Sequence, residues 1–208
     1  MIKEIIRELK EHYPFTLFGA LTGIILMMAF RQMPHAVSNQ LFFIFHPLHV
    51  FLSAIVTTGI YCRYKSCDHL RGWNLGKVLA VGIIGSLGIG TLSDSLIPFW
   101  GEILMDMPHR HAHIGFLEHP MLLGGAVLAG IGLSYFRPMT KHPHAGHVLI
   151  STWASLFHMH MAADQTQAVP YFGIFVFLFL AVWIPCCLSD IIFPMLFVKD
   201  KEITCRRV

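Results

Sequence analysis

The sequence predicts an all-α polytopic membrane protein, with six transmembrane helices arranged as two inverted three-helix repeats and both termini cytoplasmic. Three observations lead there. Hydrophobic residues make up 55% and charged residues 13% of the 208 positions, and mean hydropathy is +0.61, far from the balance of a soluble domain. Six apolar stretches are long enough for a hydrocarbon core of roughly 30 Å, which takes about 20 helical residues. Two polar motifs also occur twice, in the same order. His-x-x-His-Val-x-x-Ser stands at His46–Ser53 and His144–Ser151, and Leu-Ser-Asp-x-x-x-Pro at Leu92–Pro98 and Leu188–Pro194.

The spans are expected near residues 14–31, 42–62, 76–98, 119–136, 146–163 and 170–197. The first opens on Glu11-His12-Tyr13-Pro14 and the fourth on the related Glu118-His119-Pro120. The third holds Gly82, Gly85, Gly88 and Gly90, small residues that let helices approach closely in lipid. Spans of this length argue against β-barrel strands, which need only about 10 residues and alternate in polarity. The apolar run after Lys10 lacks a small-residue cleavage site, so the first helix is expected to be retained and not removed as a signal peptide.

Charge sets the orientation. Of the 15 lysines and arginines, only Arg31 and Arg110 fall on the side opposite the N-terminus, a strong positive-inside bias that places both termini in the cytoplasm. The expected location is the cell inner (plasma) membrane. Cys62, Cys67 and Cys205 fall on the inner side and Cys186 and Cys187 within the last span, so no structural disulfide is expected. The net charge of +3 lies on the cytoplasmic rim, where it meets anionic lipid and not nucleic acid.

The two units, residues 1–105 and 106–208, each hold three spans. An odd number makes them run in opposite directions through the bilayer. His46 and His49 therefore belong to the outer side and His144 and His147 to the inner. Asp94 lies near the outer end of the third span and Asp190 near the inner end of the sixth. Inverted repeats about an axis in the membrane plane are typical of secondary transporters. The three-plus-three plan is similar to that of several small cation exporters and exchangers, a likeness of architecture that does not fix function.

The repeated residues are metal-ligand types. A spacing of three puts His46 and His49 on one helix face. Asp94 adds a carboxylate, and Glu118, His119, His158, His160 and Asp164 complete the candidate set on the outer side. Its inner mirror is His12, His144, His147 and Asp190. His109, His111 and His113 alternate along a loop that reads as a metal-gathering segment. Imidazole with carboxylate suits a divalent transition metal such as zinc, iron or manganese. A single interfacial histidine is more often an anchor. A carboxylate within a span points to function, although Ser-Asp ahead of proline can also satisfy backbone groups that the proline frees. The methionines read as helix packing before copper ligands.

The first functional reading is a divalent transition-metal transporter or exchanger, not an enzyme. An intramembrane metalloenzyme with an outward-facing His/carboxylate site is the alternative. Another is a haem-binding electron-transfer protein pairing His49 with His119 or His158. A small-anion carrier using protonated histidines is weaker. No phosphate-binding loop is present, which argues against ATP drive within the chain. The expected partners are the lipid bilayer and a metal ion, with no nucleic acid; a homo-oligomer is compatible with the sequence.

Overall fold

Long runs of leucine, isoleucine, phenylalanine and alanine broken by few turn residues give helix throughout, and no strand occurs among the described residues. The computed structural model describes residues 2–65, 75–136, 141–164, 170–187 and 192–197. Six long helices follow in chain order: α1 (Ile2–Ala29), α2 (His35–Lys65), α3 (Leu75–Leu104), α4 (Pro120–Phe136), α5 (Lys141–Ala162) and α6 (Tyr171–Cys187). Single helical turns lie at Gly115–Glu118 and Phe193–Met195.

Each expected span overlaps one of these helices, and several ends lie further out, whereas the sixth, expected over 170–197, is helical over Tyr171–Cys187. α1 starts well before residue 14 because Lys3, Glu4, Arg7, Glu8 and Lys10 are good helix formers. α2 likewise begins at His35 and α3 runs on to Leu104. Three stretches are long and apolar enough to cross a membrane: His12–Ala29, His35–Arg63 and Leu75–Leu104. Pro120–Phe136 and Tyr171–Cys186 are shorter apolar helices. α5 is long, but its histidines make it more polar.

Polarity is distributed inside out. Phe18, Ile25, Ile44, Trp100, Leu128 and Phe136 are exposed, whereas His12, His46, His49, Asp94, Glu102 and His158 are buried. Water would favour the opposite arrangement. A hydrocarbon surrounding favours this one, because polar groups then find partners only inside the bundle.

Among the described residues apolar packing forms two large centres and two small ones. One large centre gathers Val50 and Ala54 of α2, Val78 and Val81 of α3, and Leu123, Val127 and Ile131 of α4. The other large centre gathers Ala20 and Met27 of α1, Leu156 and Met159 of α5, and Ile174 and Leu178 of α6. Close approach holds α4 on α2: a Cβ on Gly130 would stand 2.5 Å from the Phe51 carbonyl oxygen, and Ser134 Oγ donates to the Ile55 carbonyl at 2.7 Å. Between the two centres α2 packs along α5, and that seam carries the buried polar residues.

α3 is irregular where it meets the seam. Leu92–Leu96 forms a π turn in which the Ile97 N–H donates to the Leu92 carbonyl. Pro98 follows and has no N–H to give. The Ser93 carbonyl is thus deprived of its helical donors, and Ser155 Oγ of α5 supplies one at 3.1 Å. Such turns recur at functional sites, and this one contains Asp94.

Candidate metal centre

Asp94 is completely buried, where a lone carboxylate would be strongly unfavourable. Four donors surround it. Oδ2 accepts from His49 Nδ1 at 2.7 Å and His46 Nδ1 at 2.9 Å. Oδ1 accepts from Ser93 Oγ at 2.7 Å and Ser151 Oγ at 2.8 Å. Every donor comes from the repeated motifs. The histidines come from the first His-x-x-His, Ser93 from Leu-Ser-Asp, and Ser151 from the second His-x-x-His-Val-x-x-Ser.

This fixes the tautomers. Both Nδ1 atoms donate, so in the neutral imidazole of each it is Nε2 that holds the lone pair. The Asp94 contacts of 2.7 and 2.9 Å are hydrogen-bond lengths, shorter than the roughly 3.3 Å between ligand atoms sharing one tetrahedral zinc. His46, His49 and Asp94 nonetheless offer one ligand atom each within 4.8 Å of one another, all buried, so a metal held between them would displace these hydrogen bonds. The unstrained role for Asp94 is to orient and polarise the imidazoles from behind, as carboxylates do for metal-bound histidines.

In front of His49 the ligand chemistry is ready. Its ring lies parallel to His147, with centroids 5.7 Å apart and planes at 10°. Its Nε2 stands 3.9 Å from Cys186 Sγ. One ligand atom each from His49, His147 and Cys186 lie within 4.8 Å of one another, and all three residues are buried. A tetrahedral zinc separates its sulfur and nitrogen ligands by about 3.5 Å, close to the 3.9 Å between His49 Nε2 and Cys186 Sγ. Cys186 Sγ also contacts Ser151 Oγ at 3.8 Å, and His12 meets His147 edge-on at 6.4 Å.

His46 turns the other way. It stacks on Phe42 at 5.2 Å and 6°, and a side chain on Gly115 would collide with its Nε2 edge at 2.8 Å. That buried Nε2 has no hydrogen-bond partner. Phe42 also meets His158 edge-on at 5.5 Å and His113 at 6.3 Å. His158 donates from Nδ1 to Glu102 Oε1 at 2.7 Å and accepts the His113 backbone N–H at 3.3 Å on Nε2.

The other candidates separate. His111, His113 and Glu118 form a further group at the loop surface. Partial burial, with His158 and His111 nearby, holds the His113 imidazole below the ordinary histidine range despite the pull of Glu118. His160 stands apart, both ring nitrogens taken by Ser38 Oγ at 2.9 Å and the Phe30 carbonyl at 3.2 Å. His119 packs edge-on against Phe43 at 4.4 Å on the surface, and His109 is exposed. Asp164 follows the end of α5, half-buried. Asp190 and the side chain of His144 lie outside the described residues. Cys186 and Glu102 were not among the sequence candidates. Glu102 is marked in the sequence only as an acidic residue flanking the His109–His113 loop, and nothing local marks Cys186, although Ser151, which binds Asp94 and touches Cys186, is a fixed letter of the repeat.

Comparison with known proteins finds no matching family model, curated protein or solved structure. The chain is thus an all-helical protein with membrane-length apolar helices and buried His/Asp/Cys groups that could hold a metal ion.

Proposed function

We propose that this chain is a multi-pass membrane protein that carries a divalent transition metal of the zinc class, and that His49, His147 and Cys186 bind the cargo. The observation that carries the reading is the buried His49–His147–Cys186 group with Asp94 behind His49. A thiolate with two imidazoles favours zinc over manganese, which prefers oxygen. Three protein ligands leave a fourth position open. Structural zinc sites close that position, whereas a carrier must keep its ion exchangeable.

The inverted plan is part of the proposal. Exchanging α1 with α4, α2 with α5, and α3 with α6 swaps the two large apolar centres, one built from α2, α3 and α4 and the other from α5, α6 and α1. His49 and His147 occupy the same letter of the repeat, and on this reading a two-fold axis would pass between their stacked rings. A cargo site on the axis between inverted halves is the arrangement that alternating access uses. On this reading His12, His144 and Asp190 serve the inner half as His46 and Asp94 serve the outer.

The test is zinc, cobalt and manganese flux into proteoliposomes. The native chain is expected to move zinc and cobalt ahead of manganese. His49→Ala, His147→Ala and Cys186→Ser should abolish flux while the detergent-purified protein keeps its helicity. Three ligands and an open position also suit a metal that activates water. A protein that binds zinc at these residues but moves no ion would transfer the assignment to that metalloenzyme.

A further inference from the structure

We infer that His111, His113 and Glu118 form a second divalent-metal station, a surface capture site that loads the buried one. The inference rests on the carrier reading for its purpose but not for its chemistry. His113 Nδ1 lies 3.3 and 3.5 Å from the two Glu118 oxygens, and the rings of His111 and His113 have centroids 4.5 Å apart. One ligand atom from each of the three falls within 4.8 Å of the others. Two imidazoles and a carboxylate make a borderline-hard set, which binds zinc-class ions without a thiolate. His111 and Glu118 are exposed and His113 is half-buried, so water-borne ions reach them directly.

The backbone holds these ligands in place. The His109 N–H donates to the Ala162 carbonyl at 3.2 Å, the end of α5. The His113 N–H donates to His158 Nε2, and Glu118 closes a helical turn onto the Ile114 carbonyl at 3.1 Å. Ordering a loop in advance removes an entropy term that metal binding would otherwise bear. None of these bonds uses the side chains that would ligate.

The station also opens inward. His113 meets His158 at 5.6 Å, and Phe42 touches His113, His158 and His46. Beneath the loop, His46 Nε2 and Glu102 Oε2 are buried atoms without hydrogen-bond partners. The open acceptors Glu102 Oε2 and His46 Nε2 therefore continue the path inward, with His158 as its wall since both of its ring nitrogens are hydrogen-bonded, to His46, whose Nδ1 shares the Asp94 oxygen that orients His49.

The experiment is a cobalt titration of the full chain in detergent, read by calorimetric stoichiometry and by optical spectroscopy. Thiolate-bound cobalt gives a sulfur-to-metal charge-transfer band that an imidazole–carboxylate site lacks. The native protein should bind two ions and develop the band. His111→Ala/Glu118→Gln should bind one with the band intact, and Cys186→Ser one with the band lost. Because His111 and Glu118 are exposed, the double variant is expected to unfold at the native temperature. Two ions bound by that double variant, or a single thiolate-bound ion in the native chain, would overturn the surface station. A single ion in the native chain without the band, lost in the double variant, would keep the surface station and remove the buried site. In flux assays the double variant should raise the half-saturating concentration and spare the maximal rate, the mark of a residue used for binding alone.

Discussion

One oxygen of Asp94 takes the Nδ1 protons of both His46 and His49, and that sharing decides which face of each imidazole can meet a metal. Asp94→Asn keeps an acceptor oxygen and the side-chain shape but removes the charge that makes the imidazoles strong donors of electron density. Zinc affinity at the buried site should fall about 10–100-fold, the usual effect of losing the group behind a metal-bound histidine, while the protein remains folded. Asp94→Ala should instead destabilise, because each stranded Nδ1–H loses its acceptor at about 1–3 kcal/mol. Unchanged zinc affinity in the asparagine variant, measured by competition with a chromogenic chelator, would remove Asp94 from the centre. At this scale the sequence was informative where it repeated. His46, His49, Asp94 and Ser151 are fixed letters of the two motifs, and they meet in space. Cys186 was not legible, since its place opposite His49 depends on how α6 packs across the seam. His160 illustrates the converse: its composition suggested a ligand, and only its contacts with Ser38 and Phe30 reveal a tie between helices.

At the scale of the element, the second of the two π turns of α3, Leu92–Leu96 after Ile84–Gly88, sets the direction in which Asp94 points. The Ile97 N–H reaches back five residues to the Leu92 carbonyl, so one extra residue is wound into the turn, and Pro98 prevents a regular ladder from re-forming there. Pro98→Ala restores an N–H that can bond the Asp94 carbonyl four residues back. If the turn then relaxes to α-helix, the two sides of α3 rotate against each other by about 100°, one residue's share of a 3.6-residue turn. Asp94 would leave at least one of its histidines. The expected result is a loss of zinc affinity comparable to that of Asp94→Asn, with helicity by circular dichroism equal or higher. Full affinity in this variant would mean that the neighbouring helices, not the proline, hold the turn open. Hydropathy located α3 well because twenty or more apolar residues leave few choices. It could not foresee the π turn, since periodicity arguments assume a constant 3.6 residues per turn. Nor could it mark the single turn at Gly115–Glu118, where Gly115 makes room for the His46 ring.

At the scale of the molecule, the placement of polar groups implies a direction of travel that sidedness can test. Lys10 in α1 and Arg110 in the loop after α3 are both exposed, and three membrane-length apolar stretches separate them. Three crossings are odd, so the two positions should lie on opposite faces of the bilayer. On the proposed orientation, with Lys10 inside by the lysine and arginine bias, the His111–His113–Glu118 group is expected outside and His12 toward the cytoplasm. Single cysteines introduced as Lys10→Cys and Arg110→Cys, in a background with the native cysteines other than Cys186 replaced by serine, can be probed with a membrane-impermeant maleimide. The Arg110→Cys protein should label in intact cells and the Lys10→Cys protein only after permeabilisation. Labelling of both from one side would mean that one of the three stretches does not cross. The loop histidines and His12 would then share a face, and the line of imidazoles through His158, His46, His49 and His147 would return to the side on which it began, leaving a carrier with no gradient to work across.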